Sequence, residues 1–174
     1  MTTTCRYFAY GSNMQQATFR GRRGIDIRQA EPARLEGWRI VFDKPPLLPI
    51  PESYANIVED GGGEVYGVLY EIAECDLDHL DLTEGVRIGN YRRIAVPVRL
   101  LGSGEAREAF TLTSERRDAA LRPSTRYMAL LLEGALEHGL PQAWIERLRA
   151  VPVDPETPEA LRLRALLDDA IRRR

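Results

Sequence analysis

Over its first two thirds the chain alternates apolar and polar residues in short runs, which is the pattern of half-buried β-strands. Strands are predicted over Arg6–Tyr10, Gln29–Asp43, Ala55–Val58, Glu64–Ile72, Tyr91–Leu101 and Arg107–Thr113. Gly37 interrupts the second run, which therefore forms either two strands or one bent strand. Asp60-Gly61-Gly62-Gly63 separates the third run from the fourth, and this glycine turn predicts a β-hairpin.

Helical periodicity dominates toward the C-terminus. Ser124 is the predicted N-cap of a helix that runs to about His138, with Gly139 in the C′ position. Pro141 opens a further helix to about Ala150. Other helices are predicted over Met14–Phe19, over Ala73–Leu82, and, after a proline-containing link at Val151–Pro158, over Pro158–Arg174. Strands first and helices last predict an α+β protein with a largely antiparallel or mixed sheet.

The segment Lys44–Glu52 carries four of the eleven prolines. Proline lacks the N–H that a central strand needs, so this segment is predicted to be a loop. Its apolar residues Leu47, Leu48 and Ile50 indicate that the loop packs on the rest of the protein. The length of 174 residues fits one domain over 1–174, in which 151–174 forms a C-terminal helical extension.

The overall charge and the cysteine usage narrow the classes of function. A net charge of −2 gives no reason to expect nucleic acid or an anionic membrane as a partner. Cys5 and Cys75 form no CxxC pair and His79 and His138 are far apart, so no metal is expected. No apolar stretch approaches the roughly 20 residues that span a bilayer, and no signal-peptide core follows Met1, so a cytoplasmic protein is expected.

The loop Gly11-Ser12-Asn13, which follows the first predicted strand, is the first candidate for chemistry. A strand that ends in this sequence can turn its backbone N–H groups into one concavity, and such a concavity binds a carboxylate or an oxyanion. The alternative interpretation is an ordinary polar turn, for which the same residues are suitable.

Glu84 is the second candidate, because it lies where a predicted helix ends at Gly85. A carboxylate gains nothing from the helix dipole there, since a helix C-terminus favours cations. A residue that departs from a local rule points to a function, although a solvated glutamate at a helix end is the alternative. Tyr127 is the third candidate, because its hydroxyl lies on the first turns of a helix; its alternative is a core tyrosine.

Taken together, these segments resemble the γ-glutamylcyclotransferase family, which includes the AIG2-like proteins. The matching stretches are YFAYGSNM, ANIVEDGGGEVYGVLYEI, LDLTEGVRIGNYRRIAVPV and PSTRYMALLLEGALEHGLP, in the family's order, and the resemblance spans about Tyr7–Leu148. It implies a small mixed, mostly antiparallel β-barrel flanked by helices. It does not cover the final helix, and Lys44–Glu52 does not match the family pattern.

The resemblance also implies roles for individual residues. Glu84 would be the catalytic acid/base, and the substrate-binding residues would be Tyr10, Gly11, Ser12, Asn13, Met14, Tyr91 and Tyr127. The implied reaction is a cyclisation in which the substrate's α-amine attacks its γ-glutamyl carbonyl and releases 5-oxoproline, with no cofactor. The glutathione-specific branch typically has Leu after the serine, where this chain has Asn13, so the general branch is favoured.

Two other classes of function remain open at this point. A γ-glutamylamine cyclotransferase, or a biosynthetic enzyme that removes a γ-glutamyl protecting group, would use the same residues. A non-catalytic binding module that kept the barrel is a different class, and Glu84 argues against it, because a binder of an anionic compound needs no carboxylate there. The expected partner is thus a small γ-glutamyl substrate, with a homodimer left open.

A third class would use the arginine-rich end as a surface for nucleic acid or a protein partner. The arginines concerned are Arg162, Arg164 and Arg172–Arg174. Acidic residues interspersed among them predict a solvated helix face instead; these are Glu159, Asp168 and Asp169.

Overall fold

Five strands close into a barrel within residues 3–172, the part of the chain that the computed structural model describes. They are β1 (Thr4–Ala9), β2 (Ile27–Lys44), β3 (Tyr54–Ala73), β4 (Arg92–Leu100) and β5 (Ala106–Thr113), in the spatial order β1-β3-β2-β4-β5. All neighbours pair antiparallel except β1 and β5, which meet in parallel at Tyr7 and Phe110. The predicted α+β class with a mixed, mostly antiparallel barrel is confirmed.

The predicted hairpin at 60–63 is wrong. β3 runs unbroken through these glycines, and its pairing with β2 shifts register between Glu36 and Trp38. A Cβ on Gly63 would lie 2.4 Å from the carbonyl oxygen of Trp38, so the glycine permits a close approach of two strands at an irregularity. Gly37, on the facing strand, takes the left-handed conformation with φ +82°, and β2 is one bent strand.

The described chain has four α-helices: α1 (Leu77–Glu84), α2 (Thr125–Glu137), α3 (Gln142–Arg149) and α4 (Pro158–Arg172). Helix α1 lies between β3 and β4, and the other three follow the last strand. Short 3₁₀ turns occupy Ser12–Met14, Glu74–Asp76 and Val86–Ile88, and a π-helical segment occupies Ala17–Arg22 in place of the helix predicted over Met14–Phe19. As predicted, the Ser124 hydroxyl caps α2, accepting the N–H of Tyr127 at 3.1 Å. Arg173 and Arg174, the predicted end of the last helix, lie outside the described residues.

The hydrophobic core fills the barrel and extends outward under α2. Fully buried members from the strands and from α2 include Phe8, Leu35, Val65, Val68, Tyr70 and Leu131. Helix α2 approaches the loop after β1 so closely that a Cβ on Gly134 would lie 2.6 Å from the backbone nitrogen of Gln15. No described helix is long and apolar enough to cross a membrane.

Helix α4 docks on the proline-rich segment, so the prediction that its charged residues form a solvated face is wrong for Arg164. That residue is 5% exposed and forms ion pairs with Glu52, at the end of the proline-rich segment, and with Glu156 at 2.8 Å. Asp168, one turn further along α4, pairs with Arg22 at 2.9 Å. The segment after Lys44 is a loop, as predicted, and it packs through its buried Ile50.

Candidate active site

A cavity of about 40 Å³ brings together the three segments that the sequence analysis singled out. It is lined by Tyr7, Tyr10, Gly11, Ser12, Asn13, Ala55, Glu84, Tyr91, Leu112 and Tyr127. Seven of the eight predicted site residues are therefore neighbours in space. Met14 is the exception, because its side chain is fully buried and does not line the cavity.

Glu84 reaches the cavity because helix α1 ends there. Gly85 takes the left-handed conformation at the helix C-terminus, with φ +69°, and its N–H donates to the carbonyl oxygen of Leu82. The side-chain amide of Asn90 donates to the main-chain carbonyl of Glu84 at 2.9 Å, which fixes the turn from the other side. Glu84 is thus 8% exposed, and its carboxylate lies at the cavity rather than in bulk solvent.

One oxygen of the Glu84 carboxylate carries all of its described polar contacts. Oε1 accepts from Nδ2 of Asn13 at 2.8 Å and lies 3.1 Å from Nη2 of Arg23. The guanidinium of Arg23 also donates to Oδ1 of Asn13 at 3.3 Å and to the carbonyl of Thr83 at 3.0 Å. Among the described residues, nothing hydrogen-bonds to Oε2, which leaves that oxygen available to exchange a proton with a ligand.

Four tyrosine hydroxyls surround the cavity, and burial raises the pKa of each, so all four are neutral near pH 7. Tyr127 accepts the N–H of Ala55 at 3.0 Å, and Tyr7 accepts Nδ2 of Asn13 at 3.1 Å. Each of these two hydroxyls keeps its own proton for a further hydrogen bond. Tyr10 and Tyr91 instead donate, to the carbonyls of Leu112 at 2.5 Å and of Ala55 at 3.1 Å.

Hydrogen bonds to the main-chain carbonyl of Met14 hold the loop that carries Ser12 against strand β3 and the end of helix α2. That oxygen accepts from the Tyr70 hydroxyl at 2.6 Å and lies 2.9 Å from Nε2 of His138. Burial lowers the pKa of His138, so the imidazole is neutral at pH 7 and its Nε2–H is the donor. The N–H of Met14 bonds to the Gly11 carbonyl within the loop at 3.0 Å, so it is not free for a ligand.

The comparisons with known proteins agree with this geometry. A sequence profile of the AIG2-like family matches residues 64–148. The γ-glutamylcyclotransferase of Homo sapiens is 31% identical over 153 residues, covering 83% of this chain and 77% of that protein. The chain belongs to the γ-glutamylcyclotransferase family. The Bos taurus protein of the same name is 29% identical over 150 residues, with the same two coverages.

The fold of the γ-glutamylcyclotransferase family is also the fold found here. A solved structure described as a γ-glutamyl cyclotransferase superposes with a TM-score of 0.78 at 25% identity, covering 99% of this chain and 100% of the other. The match extends over nearly the whole chain, whereas the sequence resemblance stopped at about residue 148. The helical end of the chain is therefore part of the shared architecture.

Three polar residues of this family member were missed by sequence reasoning. Arg23 and Asn90 lie in ordinary basic and turn sequences, which carry no signal for a contact with Glu84. Lys44 lines a second, adjoining cavity and is 1% exposed. A signal for Lys44 did exist, because it is the single lysine in a chain that contains 23 arginines.

Proposed function

We propose that this protein catalyses the γ-glutamylcyclotransferase reaction and that Glu84 is its only acid/base. In that reaction the α-amine of a γ-glutamyl compound attacks the γ-carbonyl of the same molecule, and 5-oxoproline and a free amine or amino acid leave. The observation that supports the proposal concerns the described residues: Glu84 is the single carboxylate among those that line the cavity, with one oxygen fixed and the other without a hydrogen bond.

The proton balance of the reaction suits one carboxylate that acts twice. The substrate's α-ammonium gives a proton to Oε2 of Glu84, and the freed amine forms a C–N bond to the γ-carbonyl carbon. Glu84 returns this proton to the leaving nitrogen as the tetrahedral intermediate breaks its original C–N bond. The second proton of the former ammonium then passes from the new ring nitrogen through Glu84 to the released amine, which departs as an ammonium. Positioned general acid/base catalysis of this kind contributes on the order of a hundred- to ten-thousand-fold.

Holding the substrate folded supplies much of the remaining rate, since both reactants lie in one molecule. We propose that the N–H groups of Gly11, Ser12 and Asn13 bind the α-carboxylate or the developing oxyanion. The hydroxyls of Tyr7 and Tyr127 are further donors, because each accepts one hydrogen bond and keeps its proton. Arg23 supplies a positive charge beside the Glu84 carboxylate and helps to orient it.

We propose that 1–174 acts as one domain, and that the ion pairs of Arg164 and Asp168 with residues outside α4 attach the 151–174 extension to it. A cytoplasmic location is proposed on the sequence features alone.

The test is release of 5-oxoproline from a panel of γ-glutamyl-amino acids, γ-glutamylamines and glutathione, measured by chromatography. Glu84→Gln should lower kcat by about a hundredfold or more, because glutamine keeps the contact with Asn13 but exchanges no proton at neutral pH. Asp78→Asn, at the exposed first turn of the same helix, is the matched control and should keep wild-type activity.

A folded wild-type protein that releases no 5-oxoproline from any member of the panel would refute the proposed function. Near wild-type kcat in folded Glu84→Gln would refute the role of Glu84 alone.

A further inference from the structure

Lys44 occupies an unusual place for the only lysine of the chain. It ends strand β2, at the first position of the proline-rich segment, and it is 1% exposed. Arginine supplies the other 23 basic side chains, so a lysine here is the exception in this sequence. A compact ammonium can be enclosed in a small polar cavity where a planar guanidinium would demand more partners.

The ammonium of Lys44 has a neutral oxygen, not a carboxylate, as its hydrogen-bond acceptor. Its Nζ donates to Oδ1 of Asn90, and Nη1 of Arg116 donates to the same oxygen at 2.7 Å. The rings of Tyr91 and Tyr54 lie 4.5 Å and 5.9 Å from Nζ. No carboxylate of the described residues lies within ion-pair distance of Nζ, so two cations share one amide oxygen.

These surroundings disfavour the charged form of Lys44. Burial and the neighbouring Arg116 lower its pKa to about 7, and only the more distant charge of Glu84 acts in the opposite direction. An anion placed beside Nζ would reverse this balance, because opposite charges favour the ammonium. The site is therefore short of one negative charge that the described protein does not provide.

Lys44 faces a cavity of about 140 Å³ that continues from the catalytic one. The two cavities share Ser12, Glu84, Tyr91 and Tyr127. A cavity of roughly 150 Å³ holds a molecule the size of benzene, so a small amino acid has room in it. Because Glu84 lies at the junction, a substrate held with its scissile bond at Glu84 would have this second space open to its leaving group.

Four arginines also line the second cavity, and most of their charge is already balanced. They are Arg22, Arg23, Arg126 and Arg164, and their acidic partners are Asp168, Glu84, Glu156 and Glu52. The Arg126–Glu156 contact is long, at 3.9 Å. Within the described residues, Lys44 thus stands out as the lining cation that has no carboxylate within ion-pair distance.

We propose that Lys44 binds the carboxylate of the leaving amino acid and thereby makes this protein select γ-glutamyl-α-amino acids over γ-glutamylamines. The inference rests on the proposed function, since it assigns the leaving-group end of that same site. Lys44 is a specificity-determining residue here; proton transfer remains with Glu84. A leaving group with a second amine in place of the carboxylate would put a further cation beside Lys44 and Arg116.

The test compares γ-glutamyl-L-alanine with γ-glutamylethylamine, which has the same skeleton without the leaving-group carboxylate. Wild-type kcat/KM should favour the alanine compound by about ten- to a hundredfold, the range expected for a hydrogen bond to a charged group. Lys44→Met should remove most of this preference by raising KM for the alanine compound. Arg39→Met, an exposed cation on the same strand, should leave the preference unchanged.

The single lysine allows a second measurement that does not depend on Lys44→Met folding. Protein carrying Glu84→Gln and ¹³C-labelled lysine has one ε-carbon NMR signal, whose pH titration gives the pKa of Lys44 directly. Saturating γ-glutamyl-L-alanine should raise that pKa, since a bound anion favours the ammonium, whereas γ-glutamylethylamine should not. The other charged or titratable groups facing Nζ are Arg116, Tyr54, Tyr91 and the four lining arginines, and they are the same in both titrations. Glu84→Gln removes the one described carboxylate that acts on Lys44.

Equal wild-type kcat/KM for the two compounds, or a lysine pKa that ignores the bound carboxylate, would overturn the inference. Failure of the proposed function looks different, because neither compound would then release 5-oxoproline, while the lysine titration would still report whether the carboxylate binds.

Discussion

At the scale of single residues, Asn13 links the two strongest sequence signals. Its amide donates to both Glu84 and Tyr7, and its oxygen accepts from Arg23. The side chain therefore orients the carboxylate, whereas the sequence analysis assigned this loop a role through its backbone. That contact spans 71 residues, and nothing in the local sequence around either residue specifies it.

The backbone of the loop still carries a prediction of its own, at Gly11. Its φ is −106°, so no left-handed conformation requires glycine there. Space does, because a Cβ would lie 3.2 Å from the Tyr127 hydroxyl and point at the cavity. We expect Gly11→Val to lower kcat/KM by about a hundredfold, comparable to the loss of an oxyanion donor, while the protein stays folded.

Ser12→Ala is the matched change in the same loop, and we expect a loss of less than about tenfold if its main-chain N–H is the donor. Steady-state kinetics of both variants, with circular dichroism as a check on folding, give the ratio of the two effects. A more severe loss in Ser12→Ala than in Gly11→Val would show that the Ser12 hydroxyl, and not the main-chain N–H, contacts the substrate.

At the scale of elements, the sequence predicted those features of helices and strands that depend only on residues adjacent in the chain. The end of α1 at Glu84 followed from Gly85, and the cap of α2 followed from Ser124, since both are local backbone effects. The hairpin predicted from the glycines at 60–63 was wrong because glycine is favoured both in tight turns and at strand irregularities. Only the facing carbonyl of Trp38 distinguishes the two.

The packing of α2 on the catalytic loop gives an element-scale prediction at Gly134. A Cβ there would lie 2.6 Å from the backbone nitrogen of Gln15 and 2.8 Å from the carbonyl carbon of Met14. Backbone cannot move aside as a side chain can, so we expect Gly134→Ala to destabilise the protein by about 1–3 kcal/mol. The displaced loop should also lower kcat.

Urea unfolding followed by fluorescence measures the first effect and steady-state kinetics the second. Gly61→Ala is the control, because a Cβ at Gly61 meets nothing within 4 Å and should change neither quantity. Wild-type stability in Gly134→Ala would mean that helix and loop are less tightly packed than the structure has them.

At the scale of the whole molecule, the two segments that the family resemblance left out meet around one space. The proline-rich segment supplies Leu47 and Leu48 to the second cavity, and α4 supplies Arg164 and Leu167. The ion pair between Arg164 and Glu52 joins them. Periodicity predicted α4 as a helix but not its docking, because a buried arginine and an exposed one have the same local sequence signature.

The burial of Lys44 makes the free energy of unfolding depend on pH. In the native state the pKa of Lys44 is lowered to about 7 by burial and Arg116, whereas an unfolded lysine titrates near 10.4. Between these values the unfolded chain binds a proton that the native protein does not, so native stability rises with pH. Below pH 7 both states are protonated, and the full cost of the buried charge remains.

We therefore expect the free energy of unfolding of the wild type, relative to Lys44→Met, to be constant below about pH 7 and to rise above it. The slope should approach about 1.4 kcal/mol per pH unit at most, the value for one proton, and level off near pH 10.4. Urea titrations of both proteins from pH 6 to 10.5 measure it, and distant titrating groups cancel in the difference. A difference that stays flat across this window would mean that Lys44 keeps its ordinary pKa, and the shortage of negative charge around it would be refuted.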